Sequence, residues 1–330
     1  MLDLIGNTPL VRLNVLTAEI PGSVFVKLDH YNLGGSAKDR IGVNILREAL
    51  ATGRLRSGDR IIETGQGNTS IGLAIAGLLA GHSSRVIAKP DLSRQKLNLL
   101  RMLGADVIPG RLDVDKTHPE HAWVIAEQQE QAHENIWWAR QQSSPDNPDA
   151  HYASTGPEIW YQTAGRVTHF VAAIATGGTV SGTGRFLQEQ NSDVQVIGTT
   201  VDLPQKPWAD AALNKTFHRL PGYETLERDW PDNIDLDVID QLEARTKEEI
   251  IDFAFDLARA EGLLLGPSSA LSVKIALELA AHGSPEDVFV VFSADHARDY
   301  TSAEYDEAWL RANDLAGVAD RHFGSPVAET

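Results

Sequence analysis

The stretch HFVAAIATGGTVSGTGRFLQEQ, residues 169–190, decides the fold class. Its first seven residues form an apolar run typical of a buried strand, and its last ten have the spacing of a helix. Between them lies a turn of small residues, 175–182, whose backbone N–H groups are free to converge on one anion. No lysine follows this turn, so it is not a nucleotide-binding P-loop. A strand, a glycine turn and a helix in this order indicate a parallel sheet.

The same alternation runs through most of the chain, and it predicts an α/β fold with mostly parallel sheets covered by helices on both faces. Strand-like runs lie at 60–64, 85–89, 105–109, 135–139, 194–201 and 288–294. Helix-like runs lie at 68–81, 93–104, 119–132, 155–165, 246–262 and 268–283. Residues 145–148 are expected to mark a crossing between two lobes. The stretch 202–245 breaks this alternation and is interpreted as an ordered excursion, and the polar tail after Trp309 is expected to be peripheral.

Composition excludes several classes of function. The 330 residues carry 29 basic and 46 acidic side chains, a net charge of −17, which disfavours nucleic acid and anionic membranes as partners. Cysteine is absent, so disulfides, thiolate metal sites and a catalytic thiol are ruled out. The N-terminal MLDLIGNTPL has no signal-peptide pattern and no run is long enough to span a membrane, so a cytoplasmic protein is expected.

Two further turns follow strand-like runs. The first, GQGNTS at 65–70, opens a helix that Asn68 or Thr69 is expected to cap, and its N–H groups could hold a carboxylate or phosphate. A tight turn that simply needs glycine explains this segment equally well. It also approaches the dinucleotide pattern G-x-G-x-x-G, but Lys89 precedes Asp91 where that pattern needs an acid, so the match is weak. In the second turn, 266–269, Ser268 is expected to cap a helix.

Lysine is scarce, and Lys38 is the one in a chemically suggestive setting. It lies in NLGGSAKDR, residues 32–40, between glycines and an apolar helix. Desolvation there would lower the pKa of its amine and make it a nucleophile fit for an imine. A phosphate-binding turn together with such a lysine is what pyridoxal 5'-phosphate (PLP) requires.

Seven separated motifs, in order, resemble those of one enzyme family. They are IGNTPLVRL (5–13), NLGGSAKDR (32–40), TGQGNTSIGLA (64–74), KLNLLRMLGADVI (96–108), HYASTGPEIW (151–160), ATGGTVSGTGR (175–185) and EGLLLGPSSA (261–270). Over about residues 1–310 the chain resembles the fold type II PLP-dependent enzymes, in the group of cysteine synthase and the catalytic core of cystathionine β-synthase.

The resemblance implies a two-lobed, tryptophan synthase β-like fold. Residues 36–148 would form a smaller, mobile domain that grips the substrate carboxylate, and residues 1–35 and 149–330 a larger PLP-binding domain. It also implies a homodimer that takes small amino acids as substrates. HPEH at 118–121 looks metal-like, but its spacing does not match a zincin helix, so surface histidines and no metal site are expected.

The resemblance also assigns roles to individual residues. Lys38 would carry the PLP imine and later move the Cα proton, Asn68 would bond the ring hydroxyl, and Ser268 (rather than Ser269) would face the pyridine nitrogen. The PLP phosphate would be held by Thr176, Gly177, Gly178 and Thr179. The substrate carboxylate would be held by Gly65, Gln66, Gly67, Thr69 and Gln141.

The implied reaction is β-replacement on an activated serine (O-acetylserine, O-phosphoserine or serine) through an aminoacrylate, giving cysteine, cystathionine or a related β-substituted alanine.

Several positions depart from the family pattern: Gly65-Gln66 replaces Thr-Ser, Gln142 replaces phenylalanine, and 293–299 replaces P-x-S-G-x-R-Y. The substrate pair therefore stays open. Alternatives are a synthase that uses an amine nucleophile to make a diaminopropionate precursor, a PLP serine/threonine dehydratase, and an inactive scaffold that binds a partner's tail.

Overall fold

The computed structural model describes residues 1–65, 67–90, 92–202, 215–216, 227–228 and 231–325. Its strands are β1 Leu10–Arg12, β2 Ser23–Leu28, β3 Arg60–Thr64, β4 Ser84–Ala88, β5 Asp106–Pro109, β6 Ile136–Trp138, β7 His169–Ala173, β8 Gln195–Asp202, β9 Lys215–Thr216, β10 Glu227–Arg228, β11 Gln241–Thr246 and β12 Val288–Ser293. Its helices are α1 Lys38–Ala51, α2 Asn68–Leu79, α3 Arg94–Met102, α4 Ala122–Ala132, α5 Asp146–Ala150, α6 Gly156–Gln162, α7 Gly178–Gln190, α8 Lys247–Glu261, α9 Pro267–Ala280, α10 Glu307–Ala312 and α11 Ala316–Phe323.

The larger sheet has six strands in the order β1-β2-β12-β7-β8-β11. Only the edge strand β1 pairs antiparallel; the other neighbours are parallel. Side chains of β12 alternate between two buried clusters, Phe289 and Val291 on one face and Val290 and Phe292 on the other. Because both faces of the sheet are covered, its strands are continuously apolar rather than alternating.

The smaller sheet has four strands, all parallel, in the order β5-β4-β3-β6. Helices α1 and α2 pack beside it through a core that includes Ile45, Leu73 and Trp137. Two parallel sheets flanked by helices confirm the predicted fold class. The smaller sheet is built from chain between residues 60 and 138, and every strand of the larger sheet lies before or after it.

The helices that follow the glycine turns begin differently from expectation. Gly67 (φ 128°), Gly177 (φ 85°) and Gly266 precede α2, α7 and α9, and no side chain caps any of the three. The predicted caps at Asn68 or Thr69 and at Ser268 were therefore wrong, because each of these residues already lies inside its helix. A helix without a side-chain cap leaves its first N–H groups without intrahelical partners, so they can bind an anion.

Other differences from the sequence-based expectations are local. Strands β2 and β11 were missed, and the tail after Trp309 is not peripheral, since Leu310, Leu315 and Val318 are buried against Ile251. His121, expected at the surface, is 4% exposed and begins α4. Most of the excursion at 202–245 lies outside the described residues. In the described ranges no helix has the length and hydropathy of a membrane span.

Candidate active site

Three glycine turns and Lys38 lie close together, linked by contacts of Asn68, Asp295 and Asn147. Each turn follows a strand or strand-like run, and the carboxyl ends of parallel strands are where such sheets bind ligands. The amide Nδ2 of Asn68, in the first turn of α2, donates to Asp295, just after β12, at 2.9 Å. Asn147 joins the segment that contains Gln141 to the turn that contains Thr176. Its Nδ2 donates to the Gln141 carbonyl at 2.8 Å and to Thr176 Oγ1 at 3.1 Å. The structure thus brings the turns together around one cleft.

Lys38 is the first residue of α1 and is half-buried. The turn before it is fixed from both sides, because the Ala37 N–H donates to the Ala294 carbonyl at 2.8 Å and Asn32 Nδ2 donates to the Ser36 carbonyl at 3.2 Å. Burial lowers the pKa of the Lys38 amine, and the negative charges of Asp295 and Asp29 partly oppose that shift. Within the described chain the amine has no hydrogen bond or ion pair, so it is available for chemistry.

A buried ionic network holds the helix that carries Lys38. Arg40 donates to both oxygens of Asp29 (2.7 and 2.9 Å) and to both oxygens of Glu158 (2.6 and 2.8 Å). Lys27, fully buried in β2, donates to Glu158 at 2.5 Å. Planar guanidinium groups suit such bidentate pairing, and each charge in the network has a partner of opposite sign. The network ties α1 to β2 and α6.

The turn after β3 carries the residues expected to bind a carboxylate. Thr69 Oγ1 donates to Gln141 Oε1 at 2.6 Å, so these two predicted residues are in direct contact. Gly65 is adjacent, because a Cβ built on it would lie 3.7 Å from Gln141 Nε2. Gly67 must be glycine, because its φ is 128° and a Cβ there would lie 2.3 Å from Lys96 Cδ. Gln66, the fifth predicted member, lies outside the described residues.

Glu63 is a buried acid that holds this turn through hydrogen bonds. Its carboxylate accepts from the Thr64 N–H at 2.6 Å and from the Gln141 N–H at 3.0 Å, and the residue is 2% exposed. Burial raises the pKa of the carboxyl to about 7, although both N–H groups favour the ionised form. Glu63 therefore couples the end of β3 to the segment that positions Gln141.

The raised pKa of Glu63 predicts a stability change with pH. The unfolded carboxyl ionises near its ordinary 4.5 and the folded one near 7, so Glu63 disfavours folding increasingly as pH rises through that window. Relative to the wild type, Glu63→Gln should gain about 2 kcal/mol of unfolding free energy between about pH 5 and about pH 7.5. Urea unfolding of both proteins at the two pH values measures this. Parallel pH dependences would contradict it.

The turn at 176–179 begins α7. Gly177 adopts a left-handed conformation (φ 85°) and contacts Ile234, so a Cβ there would be 2.7 Å from the Ile234 backbone. The hydroxyl of Thr179 pairs with His151 Nε2 at 3.1 Å, and His151 Nδ1 pairs with Thr155 Oγ1 at 2.9 Å. Burial lowers the pKa of His151 to about 3, so this imidazole is neutral. The predicted anion-binding residues Thr176, Gly177, Gly178 and Thr179 are contiguous at this helix end.

Ser268 is the second residue of α9 and is half-buried. Its neighbour Ser269 is 1% exposed, and the Ser269 hydroxyl accepts from the Ala294 N–H at 3.1 Å. Ser269 is thus committed to the backbone, whereas the Ser268 hydroxyl makes no hydrogen bond to any described residue. This favours Ser268, as predicted, for contact with a ligand.

Sequence reasoning missed several residues that shape the cleft: Glu63, Asn147 and His151 hold Gln141, Thr176 and Thr179 respectively. Glu63 ends an apolar strand, where an acid is unusual, and that was a usable signal. His151 lies in a quoted motif but received no role. Asn147 carried no signal, because its contact with Thr176 spans 29 positions.

The donor set fits PLP. An aldehyde needs a primary amine, which Lys38 offers, and a phosphate needs converging N–H and hydroxyl donors, which the uncapped start of α7 provides. Asn68 and Ser268 supply polar groups for a ring between these points. Among the described residues no cluster of three or more histidine, aspartate or glutamate side chains could hold a metal ion.

Comparisons with known proteins agree with this chemistry. Residues 1–294 match the model of the family described as pyridoxal-phosphate dependent enzyme. Cysteine synthase B of Pseudomonas aeruginosa is 34% identical over 303 residues, which is 91% of this chain and 95% of that protein. Cystathionine beta-synthase of Apis mellifera is 33% identical over 338 residues, all of this chain but only 64% of that protein.

A solved structure of O-acetyl serine sulfhydrylase isoform 3 from Entamoeba histolytica superposes with a TM-score of 0.80 at 27% identity, covering 97% of this chain and 94% of that one. The family match covers most of the chain, and the site residues suit its cofactor. The chain therefore belongs to the pyridoxal-phosphate dependent enzymes, in their cysteine synthase and cystathionine β-synthase group, and its cofactor is PLP.

Proposed function

We propose that the chain catalyses PLP-dependent β-replacement on an activated serine. The single observation that carries this proposal is the placement of Lys38, a half-buried amine without a partner in the described chain. It interacts electrostatically with Asp295, which bonds Asn68 at the uncapped start of α2, and with His151, which pairs with Thr179 at the uncapped start of α7. One of those helix ends suits the cofactor phosphate and the other suits the substrate carboxylate. The relatives named above, cysteine synthase, cystathionine β-synthase and O-acetyl serine sulfhydrylase, support the same reaction class.

In this proposal Thr176, Gly177, Gly178 and Thr179 hold the phosphate, Asn68 and Ser268 contact the ring, and Lys38 anchors the cofactor. When bound, PLP supplies an electron sink for the bond that breaks at the substrate Cα. Burial lowers the pKa of Lys38, which increases the neutral fraction of its amine near neutral pH. A neutral amine at this position can take the Cα proton as general base and return it later.

The substrate carboxylate would lie on the turn at 65–69, including Gln66, with the N–H groups of α2 and the Thr69 hydroxyl as donors. Gln141 would complete this clamp. We also propose that residues 36–148 close over residues 1–35 and 149–330 when the carboxylate binds, since the smaller sheet and the clamp belong to the first of these units. Closure would keep water away from the reacting carbon.

The clamp predicts a specific kinetic effect. Thr69→Val keeps the shape of the residue but removes the hydroxyl that contacts Gln141. In this role the Thr69 hydroxyl turns from Gln141 Oε1 to the substrate carboxylate when substrate binds. Without it KM for the amino-acid substrate should rise about ten-fold, because a hydrogen bond to a charged carboxylate is lost, while kcat stays within about three-fold. Thr163→Val is the matched control, since its hydroxyl bonds the Ile159 carbonyl inside α6. A fall in kcat without a change in KM would contradict this role.

A product screen tests the proposed reaction. O-acetylserine, O-phosphoserine and serine are each offered with sulfide, thiosulfate, homocysteine or glutamate, and the products are identified by mass spectrometry. A β-substituted alanine is expected for at least one pair. Pyruvate or another keto acid as the sole product, whatever nucleophile is added, would assign a dehydratase instead. An adduct with glutamate would identify an amine nucleophile.

We further propose that the chain acts as a homodimer in the cytoplasm on small amino-acid substrates, as the family resemblance implies. Sedimentation of the PLP-loaded protein tests the dimer, and cell fractionation tests the location. A monomer at micromolar concentration that retains full activity would contradict the dimer.

A further inference from the structure

Asp295 is a buried acid that the proposed reaction does not use. It follows β12, in the segment 293–299 that departs from the P-x-S-G-x-R-Y pattern, and it is 4% exposed. One oxygen, Oδ2, accepts from Asn68 Nδ2 at 2.9 Å and from the Tyr300 hydroxyl at 2.7 Å. The other oxygen, Oδ1, is buried and has no hydrogen-bond partner in the described chain. A carboxylate in this condition costs stability and therefore requires an explanation.

The position of Asp295 places it among the cofactor-binding residues. Its neighbour Ala294 accepts from the Ala37 N–H, next to Lys38, and its own carbonyl accepts from the Gly266 N–H at 3.1 Å. Gly266 is the residue before α9, which carries Ser268, and a Cβ on Gly266 would lie 2.0 Å from Asp295 Oδ1. Asp295 therefore contacts Asn68 directly and Gly266 before α9, while its neighbour Ala294 holds the turn that precedes Lys38.

The charges that face Asp295 come from several elements. The positive charge of Lys96 and the negative charge of Asp299 act on the Asp295 carboxylate. The Asp295 carboxylate in turn acts on the Lys38 amine. The Lys96 ammonium lies 5.8 Å from the centre of the Tyr300 ring. In the described ranges neither ammonium group forms an ion pair with Asp295, and the side chains that donate to its carboxylate there are the neutral Asn68 and Tyr300.

We propose that Asp295, held by Tyr300, is a positioning residue of the cofactor site: it orients the Asn68 amide toward the PLP ring hydroxyl and places a negative charge opposite the Lys38 nitrogen. The proposal rests on the proposed function, since it takes Lys38 and Asn68 to be the residues that contact PLP.

The orienting effect follows from hydrogen-bond chemistry. An ionised carboxylate can only accept, so it selects the NH₂ end of the Asn68 amide and turns the Asn68 carbonyl oxygen away. An asparagine at 295 could donate as well as accept, and the amide of residue 68 would lose this constraint. The charge effect follows from position. Burial raises the pKa of Asp295, and its negative charge in turn raises that of Lys38.

A residue with only a structural role should lower stability when replaced, whereas Asp295 is expected to behave differently. Replacing a buried, partly unpaired carboxylate by a neutral amide of the same shape removes a desolvation cost. Asp295→Asn should therefore leave the melting temperature of the protein without added PLP unchanged or raised. The same substitution should weaken PLP, because the ordered Asn68 and the charge facing Lys38 are both lost. A substitution that keeps or raises stability but weakens PLP binding indicates that the residue positions the cofactor site rather than holds the fold.

The test uses the full chain, titrated with PLP, in wild-type, D295N and Y300F forms. The readouts are the Kd for PLP, the ratio of the visible to the near-ultraviolet absorption band of the loaded protein, and the melting temperature without added PLP. D295N should raise Kd about ten-fold and change the band ratio, and Y300F should change both in the same direction by a smaller factor, about three-fold in Kd. Y305F is the matched control, because the Tyr305 hydroxyl donates to the Leu265 carbonyl and not to Asp295.

Several results would overturn the proposal. D295N with wild-type Kd and band ratio would do so, as would a melting temperature that falls with no change in cofactor binding. If D295N does not yield folded protein, Y300F decides, and an unchanged Y300F spectrum and Kd contradict the proposal. A wild-type chain that binds no PLP would instead refute the proposed function itself, so the two failures are distinguishable.

Discussion

Replacing Lys38 with alanine is expected to lower kcat by at least about 1,000-fold and to remove the visible absorption of the bound cofactor. The variant loses both the general base and the amine that anchors PLP. Because the amine has no hydrogen-bond or ion-pair partner in the described chain, its removal should leave the fold intact. Steady-state kinetics with the substrate pair found by the product screen, together with an absorption spectrum of the PLP-loaded protein, measure the two effects.

Two additions make the Lys38 result specific. Lys247→Ala removes a lysine whose ammonium lies 4.3 Å from the Trp309 ring, on α8, and should leave both readouts unchanged. A small amine such as methylamine, added to the Lys38→Ala protein, should restore part of the activity by acting as the missing base. A Lys38→Ala protein that keeps both the visible band and the activity would show that another residue carries the chemistry.

The second large effect is on stability. Arg40→Met should lower the unfolding free energy by about 3–5 kcal/mol, because it leaves the fully buried carboxylate of Asp29 without its cation. Arg40→Lys should recover part of that loss, since an ammonium group cannot reproduce the bidentate contacts with both Asp29 and Glu158. Urea unfolding at neutral pH gives both values.

An exposed ion pair supplies the control. Arg185 pairs with Asp149 at 2.9 Å, and the two side chains are 42% and 54% exposed, so Arg185→Met should cost no more than about 1 kcal/mol. If Arg40→Met proved as mild as Arg185→Met, the buried network would not be what fixes α1. In that case the rigid placement of Lys38 would need another explanation.

Much of the fold could be predicted because it depends on local pattern. Strand β3 was placed at its observed bounds, and the helix after the turn at 65–70 was placed to within two residues at its end. Apolar runs, helical spacing and glycine turns are properties of neighbouring residues, and they carry the alternation of strands and helices. The predicted caps failed because the choice of N-cap depends on a register of one or two residues, and here a glycine takes that place: Gly67 with φ 128° before α2, and Gly266 with extended backbone before α9.

The cleft was predictable only in part. Lys38 and the turns at 65–69 and 176–179 were found because each has its own local motif. Glu63, Asn147 and Asp295 act through residues between 29 and 227 positions away, such as the Asn147–Thr176 and Asp295–Asn68 contacts, and no local pattern encodes such distances. The tail after Trp309 was misjudged for a related reason. Its few apolar residues look sparse in sequence, yet they form one cluster with Ile251 of α8.

The covalent bond that we propose between Lys38 and PLP can be located by borohydride reduction followed by peptide mapping. The PLP-loaded protein is reduced, digested and analysed by mass spectrometry, which locates the trapped cofactor on a single lysine. We expect the pyridoxyl group on the peptide that contains Lys38. Its presence on another lysine, such as Lys96 or Lys27, or on none, would show that Lys38 does not hold the cofactor.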